Sequence, residues 1–263
     1  MRGSPAGRAE SPTLVVPVIY KIMYEKRTYR AISQSDGLIC YEVVCKETDL
    51  FCCTTTDLRA LIEERVLFYR SLLERYISVR PEFEQSLVPI ETDSFAPPVV
   101  KAMIEASTTI GVGPMACVAG AVAEFVGRDI EEYSEEYILE NGGDISLRTS
   151  RERTVVIHAN KSPYSGKIGI RLSPRKEPYG VCTSSGTVGP SLSFGKADAV
   201  CVVGVSALFA DGLATLVANM VKKADDIAVA LAAAKDFQGI KGLVAIMGDK
   251  LGVWGDLDLV KVG

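Results

Sequence analysis

The sequence predicts an α+β fold in which helices pack on one face of antiparallel β-sheets. Runs of β-branched and aromatic residues predict strands, and segments with apolar residues at helical spacing predict helices. Strands, helices and strands follow one another in that order twice, which predicts two half-repeats of the form ββ-αα-ββ. We therefore expect one domain over residues 13–263, made of two closely packed halves at about 13–150 and 151–263, after a disordered tail at 1–12.

The first half is expected to begin with an antiparallel meander and to continue with helices. Thr56 has the side chain of an N-cap residue, and apolar residues recur at helical spacing from there to Ile77. The prolines of residues 81–98 predict a surface loop. The remaining elements are strands at 15–23, 27–32, 38–45 and 49–55, a helix at 99–107, and closely packed helices in the segments GVGPMACVAG and AVAEFVGRDI.

The strongest hairpin signal in the chain is Asn141-Gly142-Gly143, because glycine adopts the positive φ that tight hairpin turns need. It joins predicted strands at 137–140 and 144–149. Two further strands, at 154–159 and 167–172, are expected to continue the same sheet. The elements predicted after them are a strand that leads into a Ser/Gly-rich loop at 183–189, a strand at 199–204, helices at 206–223 and 225–237, and strands at 243–247 and 253–260.

The composition argues against several classes of protein. The 29 basic and 33 acidic residues give a net charge of −4 without a basic stripe, so we expect no nucleic-acid partner. The longest apolar-leaning run, residues 106–123, contains glycines and a proline, so we expect no membrane span. Seven cysteines without C-x-x-C spacing predict reduced, buried thiols in a cytoplasmic protein. His158 is the only histidine, which excludes His-rich metal sites, and the sequence contains neither a GxxxxGK(S/T) nor a GxGxxG motif, so we expect no classical P-loop or Rossmann site.

Hydroxyl groups and glycines concentrate directly after an apolar strand, at Thr183, Ser184, Ser185 and Gly186. Hydroxyl and backbone N–H donors gathered at the end of a strand suit an anion such as a phosphate. The same residues also fit an ordinary solvated loop. The segment is therefore a candidate anion site with a structural alternative.

Asp211 and Thr215 stand four residues apart on a predicted helix, so a carboxylate and a hydroxyl lie on one face of it. Oxygens so placed suit a hard cation beside the anion. In the structural alternative, the helix dipole favours the aspartate and the threonine bonds to a carbonyl of the preceding turn. Residues 141–144 likewise fit either an ordinary turn or a close approach of the backbone to a ligand.

Four segments in this order, GVGPMACVAGAVAE, ENGGDI, GVCTSSGTVG and ADGLATLVANMV, resemble the ApbE family of flavin transferases, which move FMN from FAD onto a protein threonine with magnesium. Nearly the whole chain, from about Tyr29 to Val260, resembles more closely a prokaryotic family distantly related to ApbE. The motifs of that resemblance are YR, ETDL, GPMA, SLSFGKADAV and WGDL. It implies a duplicated, T-fold-like α+β sandwich.

The resemblance also implies roles for individual residues. ENGGDI is similar to the ApbE glycine motif, and TSSG is similar to its TSG loop. ADGLAT resembles the ApbE motif whose aspartate and threonine ligate magnesium, which implies a magnesium site at Asp211 and Thr215. The flavin or nucleotide would be bound by Asn141, Gly142, Gly143, Asp144, Thr183, Ser184, Ser185 and Gly186.

Three positions depart from the ApbE pattern. ApbE carries a lysine where Ala119 stands and an aspartate where Glu124 stands, and relatives carry a histidine at the position of Pro190. A cationic contact and an acid/base group are thus missing, so no catalytic residue can be named.

The sequence therefore predicts an ApbE-like protein that binds a small molecule, FAD, FMN or another nucleotide, with Mg²⁺ in a central cleft. It leaves open a transferase or pyrophosphate-cleaving enzyme, a non-catalytic binding module, and an oligomeric scaffold. A homo-oligomer, most simply a dimer, is expected because the small residues of 106–123 suit subunit packing.

Overall fold

An antiparallel sheet of eight strands forms the centre of the protein in a computed structural model that describes residues 37–186 and 195–262. The tail predicted at 1–12 and the strands predicted at 15–23 and 27–32 lie outside these residues. The strands follow the spatial order β1 (Ile39–Cys45), β2 (Thr48–Thr54), β3 (Tyr137–Asn141), β4 (Asp144–Thr149), β7 (Arg175–Ser184), β8 (Ala199–Gly204), β9 (Ile240–Met247) and β10 (Lys250–Gly255).

A smaller sheet lies against one face of the central sheet and shares a buried core with it, which includes Leu147, Ile170 and Val203. The prediction that residues 154–159 and 167–172 continue the main sheet is wrong. They pair with each other and with the last strand instead of with β4. This second sheet consists of β5 (Arg153–Val156), β6 (Ile168–Leu172) and β11 (Asp258–Lys261), in the spatial order β11-β6-β5.

The prediction of a single strand at 253–260 is also wrong. The chain turns at Gly255, whose φ is +97°, and it leaves the central sheet for the smaller one. A side chain at Gly255 would lie 2.2 Å from the carbonyl oxygen of Lys241, so the turn requires glycine. The two resulting strands, β10 and β11, therefore belong to different sheets.

A layer of helices covers the other face of the central sheet and buries the larger apolar core. The chain order is two strands, a group of helices and two strands, and the same order recurs from β7 to β10. The duplication and the division into two halves remain predictions. The helices are α1 (Arg59–Val79), α2 (Glu82–Gln85), α3 (Pro98–Ile110), α4 (Val118–Ile130), α5 (Ala207–Met220) and α6 (Asp226–Ala234), with a 3₁₀ turn at Pro114–Cys117.

The first helix does not begin at Thr56 as predicted. Its N-cap residue is Leu58, and no side chain caps it there. Instead, the N–H of Leu58 donates to the hydroxyl of Tyr41, with 3.0 Å between nitrogen and oxygen. The N–H of Arg59 donates to the carboxylate of Asp57 at 3.0 Å. Contacts from strand β1 and from Asp57 therefore replace the predicted cap.

The prediction of seven reduced thiols is wrong for Cys40 and Cys53, which form a disulfide. The two residues lie directly opposite each other in the antiparallel pair of β1 and β2. Sequence spacing could not show this register. The free cysteines are buried, and they are Cys45, Cys52, Cys117, Cys182 and Cys201.

No single helix within residues 37–186 and 195–262 combines the length and the apolar composition that a membrane span needs. The segments Pro98–Ile110 and Pro114–Ile130 meet that criterion only as a pair, and they are bent by 104° where they meet.

Candidate functional site

Two buried carboxylates interact electrostatically between the central sheet and its helices. Asp144 begins strand β4, Asp211 lies in helix α5, and each is only 8% exposed. Burial raises the pKa of Asp144, and the neighbouring charge of Asp211 raises it further. Burial also raises the pKa of Asp211 to about 7, against hydrogen bonds from backbone N–H groups that lower it. Ionisation of one of the two acids therefore disfavours ionisation of the other.

The hairpin between β3 and β4 places Asp144 at this position. Gly142 and Gly143 have φ values of +71° and +105°, so both residues of the turn need glycine's freedom. The N–H of Gly143 donates to the carboxylate of Glu140 at 2.7 Å. Asn141 lies opposite Asp144, and its amide donates to the carbonyl oxygen of Ala119 at 3.2 Å. The hairpin is thus fixed both within itself and to helix α4.

Helices α4 and α5 approach each other closely at Gly120, which holds Asp211. The N–H of Gly120 donates to the Asp211 carboxylate, with 2.9 Å between nitrogen and oxygen. A Cβ on Gly120 would lie 2.3 Å from the carbonyl oxygen of Ala207 and 2.9 Å from the Cβ of Asp211. A side chain would therefore force the two helices apart.

Strand β7 runs beside β4 and brings the TSSG segment to the same end of the sheet. Cys182 lies opposite Asp144, and its thiol donates to the carbonyl oxygen of Ala207 at 3.1 Å. The N–H of Thr183 donates to the carbonyl oxygen of Gly143 at 3.2 Å. The pairing of β4 with β7 therefore places the glycine turn beside the end of β7.

The pleat of β7 separates the predicted anion-binding side chains. Alternate side chains of a strand point to opposite faces, so Ser184 shares the helix-facing side of Cys182 and Thr183 points the other way. The Thr183 hydroxyl bonds to Cys201, which belongs to the core beneath the smaller sheet. Among these hydroxyls, Ser184 is on the same face as Asp211.

The other predicted positions extend from this centre. Ser185 and Gly186 follow β7, and the N–H of Gly186 donates to the carbonyl oxygen of Ala197 at 3.0 Å. Thr215 lies one turn beyond Asp211 and is half-buried. Residues 187–194, which include Pro190, lie outside the described residues.

The set of available donors suits Mg²⁺. Within residues 37–186 and 195–262, no group of three or more His, Cys, Asp or Glu side chains could hold a metal ion. Magnesium in proteins commonly uses one or two carboxylates and completes its shell with water and substrate phosphate oxygens. Asp144 and Asp211 fit that pattern, with Thr215 as a further oxygen near the second acid.

Sequence reasoning missed the thiols beside the two acids. Burial raises the pKa of Cys117 and of Cys182, and the Asp211 and Asp144 carboxylates raise it further, so both thiols stay protonated. Glu124 was named only as a departure from the ApbE pattern, and the structure shows that it is 7% exposed and contacts the start of α5. A single charge in the apolar run AGAVAEFV was the available signal for a buried carboxylate.

A protein-family model described as "AbpE bacteria" matches residues 30–247. The chain belongs to this ApbE-like family. The chain is also similar to UPF0280 proteins. The UPF0280 protein of Methanosarcina acetivorans is 40% identical over 195 residues, which cover 73% of this chain and 77% of the relative. That of Methanococcus aeolicus is 41% identical over 202 residues, 75% of this chain and 82% of the relative.

Solved ApbE structures share the fold of this ApbE-like protein. A Pseudomonas stutzeri flavinyl transferase ApbE in its apo form has a TM-score of 0.53 at 13% identity, and the match covers 82% of this chain and 93% of that one. The ApbE protein of Thermotoga maritima also has a TM-score of 0.53, at 12% identity, with 82% and 96% covered. The resemblance predicted from the motifs is confirmed at the level of family and fold.

Proposed function

We propose that this protein binds the diphosphate of a flavin or related nucleotide together with Mg²⁺ at Asp144 and Asp211. The pair of buried carboxylates is the observation that carries the proposal. Two aspartates are seldom buried together without a charge partner, because each penalises the ionised form of the other. A divalent cation would neutralise both.

The surroundings of the pair fit a phosphate ligand. The glycine turn at Gly142 and Gly143 and the end of β7 at Ser184 lie beside Asp144. A turn without side chains lets a ligand approach the backbone closely, and Ser184 offers a hydroxyl on the same face. Asp144 and Asp211, with Thr215 as a further oxygen, would hold the cation, which would place positive charge beside the phosphates. FAD and FMN are the first candidates because the solved neighbour from Pseudomonas stutzeri is a flavinyl transferase.

The chemistry that follows binding has two alternatives. A cation on the diphosphate would stabilise negative charge developing during transfer or cleavage, which supports a transferase or pyrophosphate-cleaving enzyme. Ala119 favours the other alternative, a module that binds without turnover, because ApbE carries a lysine there. In this structure Ala119 contributes its carbonyl oxygen to Asn141 and has no charged group to offer.

Calorimetric titration with FAD, FMN and ADP, each with and without Mg²⁺, tests the proposal. We expect one of the three to bind only with Mg²⁺, and Asp211→Asn to weaken that binding by about tenfold or more. Asp225→Asn is the matched control, because Asp225 is an exposed aspartate outside the site. Equal affinity in wild type and Asp211→Asn, or no binding of any of the three, would contradict the proposal.

Product analysis of the same mixtures separates the two alternatives. A pyrophosphate-cleaving enzyme hydrolyses FAD to FMN and AMP, and a transferase moves FMN to the threonine hydroxyl of an added acceptor protein and releases AMP; either reaction needs Mg²⁺ and stops in Asp211→Asn. A binding module returns the nucleotide unchanged.

A further inference from the structure

Glu124 is a buried carboxylate of helix α4 with three partners. Its Oε2 atom accepts from the hydroxyl of Ser206 at 2.6 Å and from the N–H of Leu208 at 3.0 Å. Its Oε1 atom pairs with Arg128 on the solvent side. The carboxylate therefore joins α4 to the beginning of α5.

The Glu124 carboxylate supplies a hydrogen-bond acceptor to the first turn of α5 from outside that helix. Ser206 is the N-cap residue, and its hydroxyl accepts from the N–H of Phe209 at 3.2 Å. The N–H of Leu208 has no carbonyl partner in its own helix, because the first N–H groups of any helix lack one. Glu124 accepts from it and places a negative charge where the helix dipole favours it.

A second contact joins the same two helices one turn away. Gly120 and Glu124 are four residues apart, so they lie on one face of α4. Gly120 donates to Asp211, which lies four residues, or about 6 Å along the helix axis, after Ala207 at the start of α5. Helix α4 is thus hydrogen-bonded to the first turn of α5 through Glu124 and to the second turn of α5 through Gly120.

We propose that Glu124 is a positioning residue that fixes α5 on α4 and so holds the Asp211 carboxylate at the Gly120 N–H and beside Asp144. The inference rests on the proposed cation site, and it assigns Glu124 no contact with the cation or nucleotide. Loss of the cap would free the first turn of α5 and let Asp211 shift.

Three variants separate capping from charge. Glu124→Gln keeps an oxygen that can accept from Ser206 and Leu208, whereas Glu124→Ala removes both contacts. Arg128→Gln removes the ion pair and leaves the cap. With Mn²⁺ as the probe, read by its electron paramagnetic resonance signal in the presence of FAD, we expect Glu124→Ala to weaken binding about tenfold. Glu124→Gln and Arg128→Gln should stay within about twofold of the wild type.

A matched control tests whether lost stability alone explains such a result. Leu147→Ala opens a cavity in the other core, on the far side of the central sheet, and should lower the melting temperature at least as much as Glu124→Ala. We expect its Mn²⁺ affinity to stay unchanged. Equal weakening in Leu147→Ala, or in Glu124→Gln and Glu124→Ala alike, would overturn the proposal.

Hydrogen exchange of the Gly120 amide, measured without cation or nucleotide, tests positioning independently of the proposed function. We expect faster exchange in Glu124→Ala than in Glu124→Gln or Leu147→Ala, because Asp211 no longer stays on that N–H. Unchanged protection in Glu124→Ala would refute the positioning role. Equal Mn²⁺ binding by wild type and Asp211→Asn would contradict the proposed function. The exchange rate of the Gly120 amide would still test the positioning role of Glu124. If Glu124→Ala does not fold, Ser206→Ala removes one of the two contacts and is expected to change exchange in the same direction.

Discussion

Replacing Asp211 with asparagine should make the cation-free protein more stable at alkaline pH. The folded state keeps the proton of Asp211 up to about pH 7, whereas an ordinary aspartate loses it near 3.8. Between these values the folded state binds more protons than the unfolded state, so the free energy of unfolding falls as pH rises. Asparagine keeps the oxygen that accepts from Gly120 and carries no charge.

The size of the effect follows from the two pKa values. The difference between about 7 and 3.8 corresponds to about 4 kcal/mol of unfolding free energy at pH 8, if the rest of the site does not relax. A domain of this size changes its melting temperature by about 2–4 °C per kcal/mol, so the variant should melt about 10 °C higher than the wild type. Asparagine also removes the charge that raises the pKa of Asp144, so the stability difference includes the relief of the repulsion between the two acids.

Thermal melts in the presence of a chelator, from pH 5 to pH 8, measure this difference. The wild type should lose stability up to about pH 7, and Asp211→Asn should lose less, because only the buried Asp144 still titrates at this site. Mg²⁺ added at pH 8 should raise the melting temperature of the wild type but not of the variant. Parallel pH curves for the two proteins would show that Asp211 is not a buried acid in this site.

Other substitutions test neighbouring parts of the structure. Gly120→Ala places a Cβ 2.3 Å from the carbonyl oxygen of Ala207. We therefore expect the free energy of unfolding, measured with denaturant, to fall by about 1–3 kcal/mol and Mg²⁺-dependent binding to weaken. Unchanged stability would contradict the close approach of the two helices. Asp144→Asn should weaken nucleotide binding with Mg²⁺ as Asp211→Asn does, and calorimetry showing wild-type affinity would place the cation elsewhere. Cys40→Ser together with Cys53→Ser should lower stability by about 2–3 kcal/mol, because the disulfide closes a loop between residues 13 apart. Thiol titration of the unreduced, denatured protein should find five reactive cysteines, and seven would refute the pairing.

Local sequence signals predicted the elements that depend on nearby residues. The hairpin at Gly142 and Gly143 was predictable because two adjacent glycines meet the conformational demand of a tight turn. The strand Ala199–Gly204 was predictable from its continuous apolar run. The end of the strand at Gly255 was not, because a glycine followed by Asp256 does not by itself reveal that the chain changes sheets.

Long-range pairing decides the site, and local patterns do not encode it. The sequence marked Asp144 and Asp211 separately, as part of a glycine turn and as a helical acid. Their electrostatic interaction depends on how β4 pairs with β7 and how α5 packs on these strands. The disulfide between Cys40 and Cys53 and the opposite orientations of Thr183 and Ser184 depend on strand register in the same way.

A crystal grown with FAD and Mn²⁺ gives the most direct test, because manganese replaces magnesium and is located by its anomalous scattering. We expect a manganese peak about 2 Å from a carboxylate oxygen of Asp211, on the side of Asp144, with the FAD diphosphate bound to it. A manganese ion bound at another place in the presence of bound FAD, or FAD bound without any ion at Asp211, would contradict it.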